Sequence, residues 1–193
     1  MRVFLVRHGE TEWSLVGKHT GRQDIPLLPE GEEAAKKLGR RLAGRAFSKV
    51  FMSPLQRARR TCELCGYGAV ATPVPDLMEW DYGQYEGLKG SEIRAQRPGW
   101  RIFRDGCPGG EQPADVIARV DRVLPTLRAP GGDVLVFAHG HLLRVLMARW
   151  SGLPLENAAH FGLDPASLSI LSRDAQTGDG VVERWNDVAH LEP

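Results

Sequence analysis

Apolar residues along this 193-residue chain fall into two spacings. Val3-Phe4-Leu5-Val6, Val50-Phe51-Met52 and Val134-Leu135-Val136-Phe137 are short continuous runs, the pattern of strands buried on both faces. They predict strands over 2–7, 49–52 and 133–138. Between them the spacing widens to that of helices. Pro29-Glu30-Gly31 opens a helix to about Ala43, with Ala35, Leu38 and Leu42 on one face. Further helices are expected over 54–65, over 112–128 (with Val116, Val120, Leu124 and Leu127 in phase) and over 140–151. A short strand is expected near Thr72-Pro73-Val74, and residues 167–171 and 181–185 read as a closing hairpin around Asp179-Gly180.

Strands alternating with helices predict an α/β fold, a three-layer α/β/α sandwich. Its central sheet is mostly parallel, and the hairpin adds antiparallel edge strands. Segment 76–111 has little strand signal, and 89–104 is expected to be helical in pieces broken at Pro98-Gly99. It reads as a lid-like insertion within a single domain spanning 1–193.

Composition narrows the function classes. The length suits one domain with a real core, and 42% of residues are hydrophobic. A net charge of +1 gives no global attraction to nucleic acid or anionic membrane. No apolar run approaches the roughly 20 residues of a membrane helix. The first residues do not read as a secretion signal, so the cytoplasm is expected. Of the three cysteines, Cys62 and Cys65 form a Cys-x-x-Cys two turns into a helix, which suits packing better than redox chemistry or metal ligation. The odd count, with Cys107 in a Gly-Pro loop, argues against a disulfide framework.

Candidate chemistry gathers at strand ends. Arg7-His8-Gly9 follows the first strand, Ser53-Pro54-Leu55-Gln56-Arg57 the second, and Ala138-His139-Gly140-His141 the third. Such ends meet at one edge of an open α/β sheet, where ligands bind. With Glu79, the set holds two cations, two imidazoles and one carboxylate. Guanidinium groups fork phosphate oxygens, and an imidazole is a nitrogen nucleophile. A small phosphorylated metabolite is the ligand this set suits. No metal-ligand spacing and no cofactor motif is evident.

Leu5-Val6-Arg7-His8-Gly9-Glu10-Thr11-Glu12-Trp13, Ser53-Pro54-Leu55-x-Arg57-Ala58-x-x-Thr61 and Ala138-His139-Gly140, in this order, resemble the motifs of the histidine phosphatase superfamily, which includes the cofactor-dependent phosphoglycerate mutases. Glu79-Trp80-x-Tyr82-Gly83-x-Tyr85-Glu86-Gly87 and Trp100-x-x-x-Arg104-Asp105-Gly106-Cys107 resemble its sedoheptulose-bisphosphatase-type branch. The resemblance implies a phosphoglycerate mutase-like fold and a metal-independent phosphatase acting through a phosphohistidine. In that reading His8 attacks phosphorus while its other ring nitrogen donates to a backbone carbonyl. Arg7 and Arg57 fork the phosphate, and His139, when protonated, donates to it. Glu79 protonates the leaving alkoxide and then activates water.

Ser14 stands where the family usually has Asn, and its hydroxyl can still donate. Thr20-Gly21 and Tyr82 match substrate-contacting positions, Gly140 belongs to the third motif, and His141 beside it is expected to line the pocket. Lys89, Arg94, Arg97, Arg101 and Arg104 face only Glu92 in the basic insert. Arg104 is the best of them for a second anionic group such as that of a bisphosphate, because its Arg-Asp-Gly-Cys context resembles the bisphosphatase-type branch.

A phosphoglycerate mutase is the alternative. The stretch between Glu79 and His139 is short for it, and Glu79-Trp80-Asp81-Tyr82 stands where mutases carry Glu-Arg-x-Tyr. A non-catalytic phospho-ligand-binding domain is disfavoured because all five core positions are intact. The oligomeric state stays open, a homo-oligomer included.

Overall fold

The computed structural model describes residues 1–129 and 131–192. In chain order the elements are β1 (Arg2–Arg7), α1 (Glu12–Leu15), α2 (Pro29–Leu42), β2 (Lys49–Met52), α3 (Gln56–Leu64), β3 (Ala71–Pro73), α4 (Gly90–Gln96), α5 (Ile102–Asp105), α6 (Pro113–Arg128), β4 (Val134–Ala138), α7 (Gly140–Trp150), β5 (Leu168–Arg173) and β6 (Gly180–Asp187). Short 3₁₀ turns occupy Pro75–Leu77, Gly83–Tyr85 and Leu155–His160.

The strands form one sheet in the order β3-β2-β4-β1-β5-β6. The first four of these run parallel, while β5 and β6 are antiparallel at the edge. Alternate residues of a strand point to opposite faces, and β1 is buried on both. Phe4 and Val6 pack with Leu38, Leu42 and Cys62 from α2 and α3. Val3 and Leu5 pack with Val120, Leu124, Leu142 and Leu146 from α6 and α7. This is the expected sandwich of two helical layers around a mostly parallel sheet.

Two local expectations change. The hairpin turn is residues 174–179, not Asp179-Gly180. Ser172 still pairs with Arg2 across the sheet, which keeps β5 extended through Arg173. Asp174 Oδ1 then accepts from Gln176 N and Thr177 N, each at 2.8 Å, and so shapes the turn. Segment 76–111 contains the expected helical pieces over 89–104, with Gly99 at φ 77° between them. Its Trp80, Tyr85, Ile93, Trp100 and Phe103 are buried and join the core beneath α6 and α7.

Register decides where the chemistry lies. Arg7 pairs with Ala138, and Met52 with Phe137. The residues that follow these pairs, His8, Ser53 and His139, therefore emerge side by side at one sheet edge.

Candidate active site

His8 is 5% exposed and lines a cavity of about 210 Å³ at that edge. Its Nδ1 lies 2.7 Å from Gly9 O, so that nitrogen carries the proton and donates. Nε2, with its lone pair, has no protein partner among the described residues. Burial, followed by the charges of Arg57 and Arg7, holds the ring well below its ordinary 6.5. A neutral imidazole with one free lone pair is what in-line attack requires. Gly9 N donates to Thr61 Oγ1 at 3.0 Å, and Thr61 Oγ1 donates to Arg57 O at 2.7 Å. The loop after β1 is thus tied to α3.

The other side of that loop has no room for a side chain. A Cβ on Gly9 would lie 2.4 Å from Gly31 O, and one on Gly31 would lie 2.3 Å from Glu10 O. Only glycine at both positions lets the start of α2 rest directly on the nucleophile loop.

Arg7 reaches into the same cavity. One Nη1 hydrogen is bonded to Leu163 O, while Nε is buried with no partner among the described residues. A Cβ at Gly140 would lie 3.4 Å from that Nε, so glycine keeps the guanidinium edge clear. A buried donor without an acceptor beside a nucleophile marks the place of an anion.

His139 and Arg57 are brought close but bond differently from expectation. The His139 ring centroid is 5.1 Å from that of His8. Arg57 Nε donates to His139 Nδ1 at 3.2 Å, so the ring proton sits on Nε2, 2.7 Å from Ser53 Oγ. Burial and then Arg57 hold His139 well below 6.5. Both of its nitrogens are engaged within the protein and its environment favours the neutral ring, whereas the expected donor role requires a protonated one. Arg57 in turn donates to Gln23 O, Thr20 O and Gly21 O at 2.9–3.0 Å. It pins the 20–23 loop and cannot fork a phosphate without releasing those carbonyls.

Glu79 is buried at the start of α7. Its Oε1 accepts from Trp80 N and Leu142 N, each at 2.9 Å, and Oε2 accepts from His141 N at 3.0 Å. The helix N-terminus thus aims the carboxyl at the cavity it lines.

The remaining candidates divide. Ser14, Thr20, Tyr82, Gly140 and His141 line the cavity. Ser14 Oγ is already part of a capping box with Thr11. Tyr82 donates to His141 Nδ1 at 2.6 Å; burial raises the phenol and lowers the imidazole, which fixes that direction. Gly21 is beside the site but does not line it; its N–H donates to Glu86 Oε1 at 2.7 Å. Arg104 is not at the cavity. It is exposed, and Asp105 holds it at 2.8–2.9 Å. The aspartate of the same Arg-Asp-Gly-Cys motif neutralises it.

Lys18, His19 and Arg144 were not singled out, and they line the cavity. His19 stacks on His141 with ring planes 3° apart, and Arg144 lies over the Phe103 ring at 4.8 Å. Arg144 falls one helical turn after Gly140, a phase that points it to the same mouth and was readable in advance.

Three histidines, the buried His8 and His139 and the half-buried His141, all have depressed folded values. The unfolded chain therefore binds protons that the native state refuses once the pH falls below about 6.5. Stability is expected to be flat above that value and to fall below it. The slope reaches about 1.4 kcal/mol per pH unit for each histidine. Thermal melts from about pH 7 to about pH 5 should show Tm dropping steeply; a flat Tm would contradict the neutral assignments.

Cys62 and Cys65 pack in the core, and burial pushes the Cys62 thiol up to about 12, far from redox reactivity. Among the described residues no group of three or more metal-ligating side chains occurs, and no helix is long and apolar enough to cross a membrane.

Comparison with known proteins agrees with this geometry. The family model of the histidine phosphatase superfamily (branch 1) matches residues 3–188. An acid phosphatase of Mycobacterium tuberculosis is 38% identical over 173 residues, covering 88% of this chain and 85% of that protein. Sedoheptulose 1,7-bisphosphatase of Saccharomyces cerevisiae is 34% identical over 193 residues, covering 80% and 69%. A protein of Erwinia tasmaniensis named as a probable phosphoglycerate mutase is 32% identical over 207 residues, covering 100% and 95%. A solved structure of a Mycobacterium tuberculosis open reading frame superposes with a TM-score of 0.89 at 35% identity, covering 96% of each chain.

Proposed function

The chain belongs to branch 1 of the histidine phosphatase superfamily, and from that premise we propose that it hydrolyses a small sugar phosphate or bisphosphate through a phosphohistidine on His8, without a metal ion. One observation carries the reading: a neutral His8 with an unbonded Nε2 and Arg7, whose Nε is buried with no partner among the described residues, line one cavity. Phosphorus held by Arg7 is open to in-line attack, and Glu79 faces the departing oxygen. Water then releases phosphate with Glu79 as base. Three buried thiols, none paired among the described residues, support a reducing compartment such as the cytoplasm.

The test is hydrolysis of a phenyl phosphate ester with and without chelator, with rapid acid and alkali quenches. The expected result is chelator-insensitive turnover and an acid-labile, alkali-stable phosphoryl group on the peptide containing His8. A phosphoryl group on another residue, or none, ends the reading.

The likeness to the probable mutase favours a second reading, isomerisation of phosphoglycerates. Interconversion of the two monophosphoglycerates faster than phosphate release would select it.

Two cations on the cavity wall, Lys18 and Arg144, take the part that Arg104 does not. They suit a second anionic group of the substrate. Arg144→Met is expected to raise KM for a sugar bisphosphate about tenfold, as loss of one charge-assisted contact does. KM for phenyl phosphate should change much less. Arg104→Ala should leave both unchanged. Equal effects of Arg144→Met on both substrates would remove the bisphosphate preference.

A further inference from the structure

Two charged residues outside the cavity hold the backbone on either side of Glu79. Arg119, on α6, is 6% exposed, yet all five of its N–H groups have partners. Nη1 donates to Asp76 O at 2.7 Å and Met78 O at 2.6 Å. Nη2 donates to Glu79 O at 3.3 Å. Nε and Nη2 fork the Glu111 carboxylate at 2.8 Å each. Glu111 closes the clamp from the far side. Its Oε2 accepts Asp81 N at 2.8 Å, its carbonyl accepts Trp80 Nε1 at 2.9 Å, and its N–H donates to Asp81 O at 2.9 Å. Every residue from Met78 to Asp81 is therefore bonded to one member of the pair.

A buried ion pair is a poor stabiliser, because desolvation offsets its attraction. A planar fork does supply direction. Here the direction matters because the Glu79 carboxyl must meet the first N–H groups of α7 and the cavity together. We infer that the Glu111–Arg119 pair is a positioning strut for the proton donor, acting on departure of the leaving group and not on attack by His8. This rests on the reading of Glu79 as general acid.

The test compares kcat/KM for an alkyl phosphate, whose leaving group needs a proton, with that for dinitrophenyl phosphate, whose leaving group does not. The ratio of the two on one preparation is independent of how much protein is folded. A lysine keeps the charge but cannot span Glu111 and three carbonyls. Arg119→Lys should lower kcat/KM for the alkyl ester about 10–100-fold and for the activated ester less than about threefold. Glu111→Gln, which keeps an acceptor for Asp81 N, should show the same selectivity in weaker form. Glu79→Gln is run alongside and should show the steepest selectivity. If it does and Arg119→Lys slows both esters equally, or neither, the strut is wrong and the acid stands. If Glu79→Gln is itself unselective, the acid assignment fails and the strut falls with it.

Discussion

His8→Ala is expected to lower kcat/KM by about 10³–10⁶-fold, the range seen when a covalent nucleophile is removed. The loss should be chemical and not structural. His8 is held neutral in the interior, so alanine removes no ion pair and uncovers no charge. Arg7, with its partnerless Nε, remains to bind the phosphate. The variant should therefore bind inorganic phosphate with nearly unchanged affinity, melt at or near the parent Tm at neutral pH, and form no phosphoenzyme. Retention of a tenth of the activity with retained binding would show that water attacks directly and that His8 only orients the substrate.

Glu79→Gln should cost about 10²–10⁴-fold on an alkyl phosphate, the usual contribution of a positioned proton donor. The amide oxygen can still accept from Trp80 N and Leu142 N, the two bonds to Oε1. The amide NH₂ then meets His141 N, which now donates to Oε2, so a local shift of the α7 start is expected without loss of fold. The diagnostic is in the second half of the cycle. With an activated ester His8 should still become phosphorylated, and without a base toward water the phosphohistidine should accumulate. A burst equal to one phosphoryl group per chain, followed by a slow steady rate, is the expected trace. Absence of a burst with slow turnover of all esters would place Glu79 in substrate binding alone.

Much of this site was written in the strands. Three continuous apolar runs are each followed within five residues by an arginine or a histidine, and parallel pairing leaves those ends little choice but to meet. The bonding among them was not legible. Arg57 looks the same in sequence whether it binds phosphate or the carbonyls of Thr20, Gly21 and Gln23; only the path of that loop decides. Arg104 was favoured for its Arg-Asp-Gly-Cys motif, and the aspartate of that same motif is what holds it away from the cavity. Arg119 was passed over for a different reason. A lone arginine among Val116 and Val120 looks like a solvated residue at the border of an apolar stripe. Its burial depends on carbonyls from a segment about forty residues upstream. His19 and Lys18 lie in a loop with no period to read. Arg144 alone had a usable signal, its phase relative to Gly140.

The mutual contact of Gly9 and Gly31 divides the molecule into a part that cannot vary and a part that can. Backbone touches backbone there, so nothing on the nucleophile's side can drift to suit a new substrate without unseating α2. Adaptation has to come from the rest of the cavity lining, to which Lys18, His19 and Arg144 belong. A library aimed at altered specificity should randomise those three positions and leave both glycines untouched.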